Sequence, residues 1–168
     1  LKVAESLHKE QYMKPIRILF VFHGNICRSP MAEFVMRDLV SKKGLSESFE
    51  IASAATSTEE IGNPVHHGTR RKLNQVGINC SGKTARQLKK ADYAACDLLI
   101  GMDSANFRNM NRICGGDPEG KISLLLDHTP RPREVADPWY TGDFERTWQD
   151  VLEGCTALLA EIREKEGF

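Results

Sequence analysis

Ile16-Arg17-Ile18-Leu19-Phe20-Val21-Phe22 runs directly into His23-Gly24-Asn25-Ile26-Cys27-Arg28-Ser29-Pro30, and this junction decides the fold. The first seven residues are apolar and rich in β-formers, as expected of a short strand covered on both faces. Ser29-Pro30 reads as a helix start, with serine at the N-cap and proline at the first helical position. Met31, Phe34, Val35 and Leu39 then recur on one helical face, and Gly44 closes the element. Between strand and helix, Gly24 permits close backbone approach and Asn25 tolerates left-handed geometry. Backbone N–H groups at a helix N-terminus lack intrahelical partners, so such a loop is a natural anion seat. Arg28 adds a planar fork of donors able to hold two phosphate oxygens at once.

The pattern continues outward from this junction. Phe49 to Ala55 is a second candidate strand. Gly62-Asn63-Pro64 breaks the chain before a helix around Gly68 to Val76, closed by Gly77. Asp97 to Met102 is a third, strongly apolar strand. Ser104 to Cys114 reads as a helix ending at Gly115-Gly116, and Lys121 to Leu126 as a fourth strand. A proline-bearing loop, Thr129 to Pro138, leads to a last helix. The apolar face of that helix is Phe144, Trp148, Val151, Leu152, Cys155, Leu159 and Ile162. Strands alternating with helices imply βαβ units, right-handed crossovers and a mostly parallel sheet. Ligands in such folds sit at the carboxyl ends of the strands. Residues 1–12 are polar and patternless, and Met13 stands just before the first strand. They read as an N-terminal extension outside the fold, with the domain running from 13 to 168.

The chain has 168 residues, enough for one domain with a real core. Lys plus Arg (23) balances Asp plus Glu (23), so no global field favours nucleic acid or an acidic membrane as partner. Ile18 to Phe22 is too short to span a bilayer, and Leu1 to Pro15 lacks the apolar core of a signal peptide. The five cysteines have no framework or zinc spacing, which suggests free thiols in a reducing cytoplasm and no metal.

The run ILFVFHGNICRSPMAEF resembles the signature of the low-molecular-weight protein-tyrosine phosphatases, whose loop reads V-C-x-G-N-x-C-R-S-P. SAATSTEEIGNP (Ser53 to Pro64), MDxxN (Met102 to Asn106) and Asp137-Pro138-Trp139-Tyr140 follow in the family's order and approximate spacing. The resemblance covers Met13 to the C-terminus. It implies an α/β fold: a single three-layer domain with a central four-stranded parallel sheet flanked by helices, and the phosphate-binding loop after the first strand. It also implies hydrolysis of aryl phosphomonoesters through a cysteinyl-phosphate, without a cofactor. The partner would be a phosphotyrosine protein or a small aryl phosphate, with a cognate tyrosine kinase as a further candidate. His23, Gly24, Asn25, Ile26, Cys27 and Arg28 would bind the phosphate. Ser29 would hydrogen-bond the departing sulfur, and Asp137 would be the general acid. Trp139 and Tyr140 resemble the aromatic pair flanking the substrate ring. Glu59 stands where many relatives carry an aromatic residue, so stacking there should weaken and acidic peptides should be repelled. His66 and His67 are expected to face different ways and to be solvated.

The family's nucleophile is the first cysteine of C-x5-R, and here that position is Phe22. A phenyl ring has no lone pair to donate. Near-attack geometry places phosphorus roughly 3–3.5 Å from the attacking atom, a volume the ring would enter. Cys27 has Glu33 rather than arginine six residues on, and its redox role in relatives needs the missing thiol. Cys80 to Arg86 satisfies C-x5-R literally, but no apolar strand precedes it and no Ser-Pro helix start follows. Cys96, Cys114 and Cys155 lie among apolar neighbours as core residues. Three functions remain open: a phosphatase scaffold silenced at its nucleophile, a pseudophosphatase that recruits phosphorylated partners, and an arsenate reductase relative.

Overall fold

Strand β1 (Ile16–Phe22) has parallel neighbours on both sides, in a sheet ordered β2-β1-β3-β4. The structure, a computed structural model, describes residues 14–168, so the expectation for residues 1–12 lies outside the described residues. The other strands are β2 (Phe49–Ala55), β3 (Leu98–Gly101) and β4 (Ile122–Leu124), all parallel to their neighbours. Alternation along β1 explains the two cores. Ile18 and Phe20 face one cluster with Met31, Val35, Val151 and Leu158, while Leu19 and Val21 face the other with Leu99 and Met110. Helices therefore cover both faces, giving the three-layer α/β domain expected. Among the described residues no helix is long and apolar enough to cross a membrane.

Helix α1 (Arg28–Lys42) starts earlier than the Ser29-Pro30 pattern indicates. Cys27 is at the N-cap without any side-chain cap, and Ser29 lies inside the first turn. The reason is local: the Ser29 hydroxyl oxygen accepts from Asn25 Nδ2 at 2.8 Å. Pro30 is still in the first turn, where its missing N–H breaks no helical bond. Helix α2 (His67–Gln75) follows the proline break. Helix α3 (Lys90–Ala95) is a short element the periodicity did not show; Asp92 accepts from the Lys89 N–H at 2.8 Å to start it. Helix α4 is Ser104–Cys114, as read. The fourth strand is shorter than expected because the Asp127 carboxylate accepts from the Leu124 N–H, curling Leu125–His128 into a 3₁₀ turn. Helix α5 (Pro138–Thr141) is also new, capped by Asp137 with proline in its first turn. The last helix, α6, is Phe144–Glu166.

Strand order reverses beside β1: β2 lies on one side and β3 on the other. The crevice at the carboxyl ends of β1 and β3 is thus the topological switch point. The loop after β1 opens into it.

Packing of α6 against the 3₁₀ turn allows a test. Gly154 lies mid-helix, where alanine ordinarily gains about 1 kcal/mol. A Cβ at Gly154, however, would lie 2.4 Å from Leu125 Cγ, and Leu125 is fully buried. Overpacking costs about 1–3 kcal/mol and outweighs the propensity gain. Gly154→Ala is expected to lower the urea midpoint; a raised midpoint would contradict this packing.

Candidate active site

The loop Phe22 to Cys27 is shaped by Asn25, the described non-glycine residue with positive φ, at 58°. Its side chain is buried and braces the loop from within: Nδ2 donates to Ser29 Oγ, and Oδ1 accepts from the Arg86 N–H at 3.3 Å. Gly24 packs closely enough on the next segment that a Cβ there would sit 3.3 Å from Glu60 Cγ. The Ile26 carbonyl accepts from the His66 N–H at 2.8 Å, tying the loop to the entrance of α2.

Arg28 is 2% exposed. A buried, unpaired guanidinium would cost several kcal/mol, and three separate groups satisfy it. Nη1 donates to the Val135 carbonyl at 2.8 Å, and Nη2 to Asp103 Oδ2 at 2.9 Å and Asp137 Oδ2 at 3.2 Å. Nε is buried and has no protein partner. The Phe22 ring lies across the guanidinium face, its centroid 3.7 Å from Arg28 Cζ, within cation–π range.

Asp103 was not singled out from the sequence, although its motif was. It caps α4 through Oδ1, which accepts from the Asn106 N–H at 2.8 Å, leaving Oδ2 for Arg28. Asn106 Oδ1 accepts from the Met102 N–H at 3.1 Å, which explains both polar ends of the DxxN pattern. Asp137 is held similarly: Oδ1 accepts from the Trp139 N–H at 3.0 Å while Oδ2 meets Arg28. The segment carrying Asp137 is pinned just past the end of β3 by the Val135 N–H on the Met102 carbonyl, and to α6 by Thr147 Oγ1 donating to the Ala136 carbonyl.

These groups surround a cleft of about 400 Å³. Phe22, His23, Gly24, Ile26, Cys27, Arg28, Glu59, Asp137, Trp139 and Tyr140 line it, joined by Glu60, Asp103, Ala105, Asn106 and Asn109. Asn25 and Ser29 stand behind the loop, buried, rather than in the cleft wall. A larger hollow of about 920 Å³ opens among the strands' amino ends, at Ile16, Asp97 and Lys121, and has no comparable arginine-bearing loop.

His66 and His67 do not face apart as expected. Their rings stack at 4.2 Å, His66 also stacks on Phe144 at 5.5 Å, and its edge meets Trp139 at 5.9 Å. His66 Nδ1 accepts from the Gly68 N–H, so it is the cap of α2 rather than a solvated residue. Burial first, and then His67, hold its pKa below the usual histidine range.

The family model described as "Low molecular weight phosphotyrosine protein phosphatase" matches residues 17–167. The chain belongs to this family. It is 41% identical over 153 residues to the low molecular weight protein-tyrosine-phosphatase YfkJ of Bacillus subtilis, spanning 90% of this chain and 98% of the relative. To the Homo sapiens low molecular weight phosphotyrosine protein phosphatase it is 40% identical over 147 residues, 84% of this chain and 92% of that one. The crystal structure of YfkJ superposes with a TM-score of 0.87 at 41% identity, covering 90% of this chain and 97% of that chain.

In this member of the phosphatase family the remaining thiols are poor nucleophiles. Burial, reinforced by the Asp137 charge, pushes Cys27 up to about 12. Cys80 is buried and its pKa is raised by that burial, while Arg86 is engaged by the Asp92 carboxylate at 3.1 and 3.2 Å rather than left open to a phosphate. Cys114 and Cys155 are buried as expected; Cys96, where the chain enters β3, is only half-buried. With that pKa, Cys27 is about one part in 10⁴ thiolate at pH 8. Iodoacetamide is expected to leave Cys27 unmodified in the folded chain and to label it in urea, read by peptide mass. Labelling within minutes at pH 8 without urea would contradict this burial.

Proposed function

We propose that the chain is a protein-tyrosine-phosphatase scaffold for phosphotyrosine and related aryl phosphates, silent because Phe22 stands in the nucleophile position. The observation that carries this reading is the Phe22 ring lying 3.7 Å from Arg28 Cζ, on the same guanidinium that holds Asp137. A cysteine at position 22 would bring its sulfur beside the loop N–H groups and Arg28, which favour the thiolate. Attack on phosphorus forms the S–P bond as the P–O bond to the phenol breaks. Asp137, on the cleft wall and held by the Trp139 N–H, enters this step as the carboxylic acid and gives its proton to the leaving phenolate. Arg28 takes the equatorial oxygens, its unpartnered Nε being among the donors free to do so. Water then attacks the phosphocysteine, Asp137 takes its proton, and the S–P bond breaks to release phosphate. Ser29 Oγ accepts from Asn25, which leaves its own proton free for the departing sulfur.

The recruiting pseudophosphatase needs an open anion seat, and the ring covers one face of the guanidinium. A recruiter also has no use for Asp137 as a proton donor. Arsenate reduction needs the absent nucleophile, and buried Cys27 is a poor resolving thiol.

Phe22→Cys is expected to confer hydrolysis of p-nitrophenyl phosphate. On that background Arg28→Lys and Asp137→Asn should each slow turnover about 10²-fold or more. A revertant with native circular dichroism but no turnover would overturn the proposal.

A further inference from the structure

The mouth of the cleft carries different chemistry on its two contributing segments. From α5 come two exposed aromatic side chains, Trp139 and Tyr140, 63% and 85% exposed. From the segment after β2 come two consecutive carboxylates. Glu59 reaches out with its side chain 70% exposed and is steadied by His23 Nε2 at 3.2 Å. Glu60 leans on the loop at Gly24, and its Oε2 accepts from Asn63 Nδ2 at 2.6 Å, a neutral donor that orients the carboxylate without cancelling its charge. Deeper in the cleft, Asp103 and Asp137 share the single positive charge of Arg28. The cleft therefore presents four carboxylates against Arg28 and His23, and those at the mouth are the ones a substrate's flanking residues meet.

We propose that Glu59 and Glu60 make this site selective for phosphotyrosine flanked by lysine or arginine. The inference rests on the function proposed above and names its substrate class. A phosphotyrosyl ring entering beside Trp139 and Tyr140 leaves its neighbouring residues at the rim. There, a long cationic side chain places its head group near the two carboxylates while its stem lies along the aromatic surface. A glutamate or aspartate in the same place meets like charge. Glu59 acts on the peptide rather than on the phosphoryl group, because it lies at the exposed rim of the cleft.

The test uses the full chain carrying Phe22→Cys and two peptides identical except for lysine or glutamate on both sides of the phosphotyrosine. The ratio of their kcat/KM values is measured at low and at high ionic strength. The ratio is taken within one preparation, so the folded fraction cancels. The lysine peptide is expected to be favoured about tenfold at low salt, since exposed charges couple weakly and two carboxylates act together. The preference should shrink as salt screens the rim. Glu59→Gln combined with Glu60→Gln should bring the ratio close to one. Equal rates, a preference for the glutamate peptide, or a ratio unmoved by the double substitution would overturn the inference. Turnover of p-nitrophenyl phosphate separates the two proposals. An enzyme active on that ester but indifferent to flanking charge loses only this inference; a folded revertant inactive on the ester loses the proposed function and this inference with it.

Discussion

A guanidinium removed from water must be given partners, and Arg28 draws them from two distant segments of the chain, one carrying Asp103 and the other Val135 and Asp137. Asp103 lies 75 residues away and Val135 107 residues away, yet both reach it within 2.9 Å. The pairing fixes where α1 begins relative to the end of β3, and where the segment before α5 crosses the cleft. Breaking it would strand a buried charge at a cost of about 3–5 kcal/mol. The site is thus part of the structure that holds the carboxyl ends of the strands together. The same bonds that neutralise Arg28 also place Asp137 beside it and leave Nε buried and unpartnered by protein.

Phe22 is stable in this setting for ordinary reasons. It ends β1, in register with Ala55 of β2, and its ring is half-buried against Arg28 with the His23 ring edge-on at 6.5 Å. A cation–π contact adds about 0.5–2 kcal/mol. An aromatic ring here is compatible with folding. The surrounding site holds its arginine, its carboxylate and its braced loop together around that ring.

What the sequence disclosed was what depends on near neighbours. The apolar run of β1, the helix Ser104–Cys114 and the loop's glycine and asparagine all announce themselves within a few residues. The start of α1 departs from the Ser29-Pro30 pattern because the Ser29 oxygen accepts from Asn25, next to the left-handed turn at Asn25. Asp103 was hidden in plain view: its cap on α4 is local, but its hold on Arg28 depends on the β1–β3 pairing. His66 and His67 stack because Phe144, from α6, provides a surface that no reading of their own segment could foresee. Asp137-Pro138 did contain the signal for α5, a capping aspartate followed by proline.

The central claim is that Arg28 and the neighbouring loop amides form a cup sized for a phosphoryl dianion, which the Phe22 ring now obstructs. Calorimetric titration with orthovanadate, comparing the native chain with Phe22→Ala, tests it without requiring catalysis. The account predicts weak binding by the native chain and an affinity at least about tenfold higher once the ring is removed, a gain of about 1.4 kcal/mol. Equal affinities in two folded proteins, or tighter binding by the native chain, would contradict it.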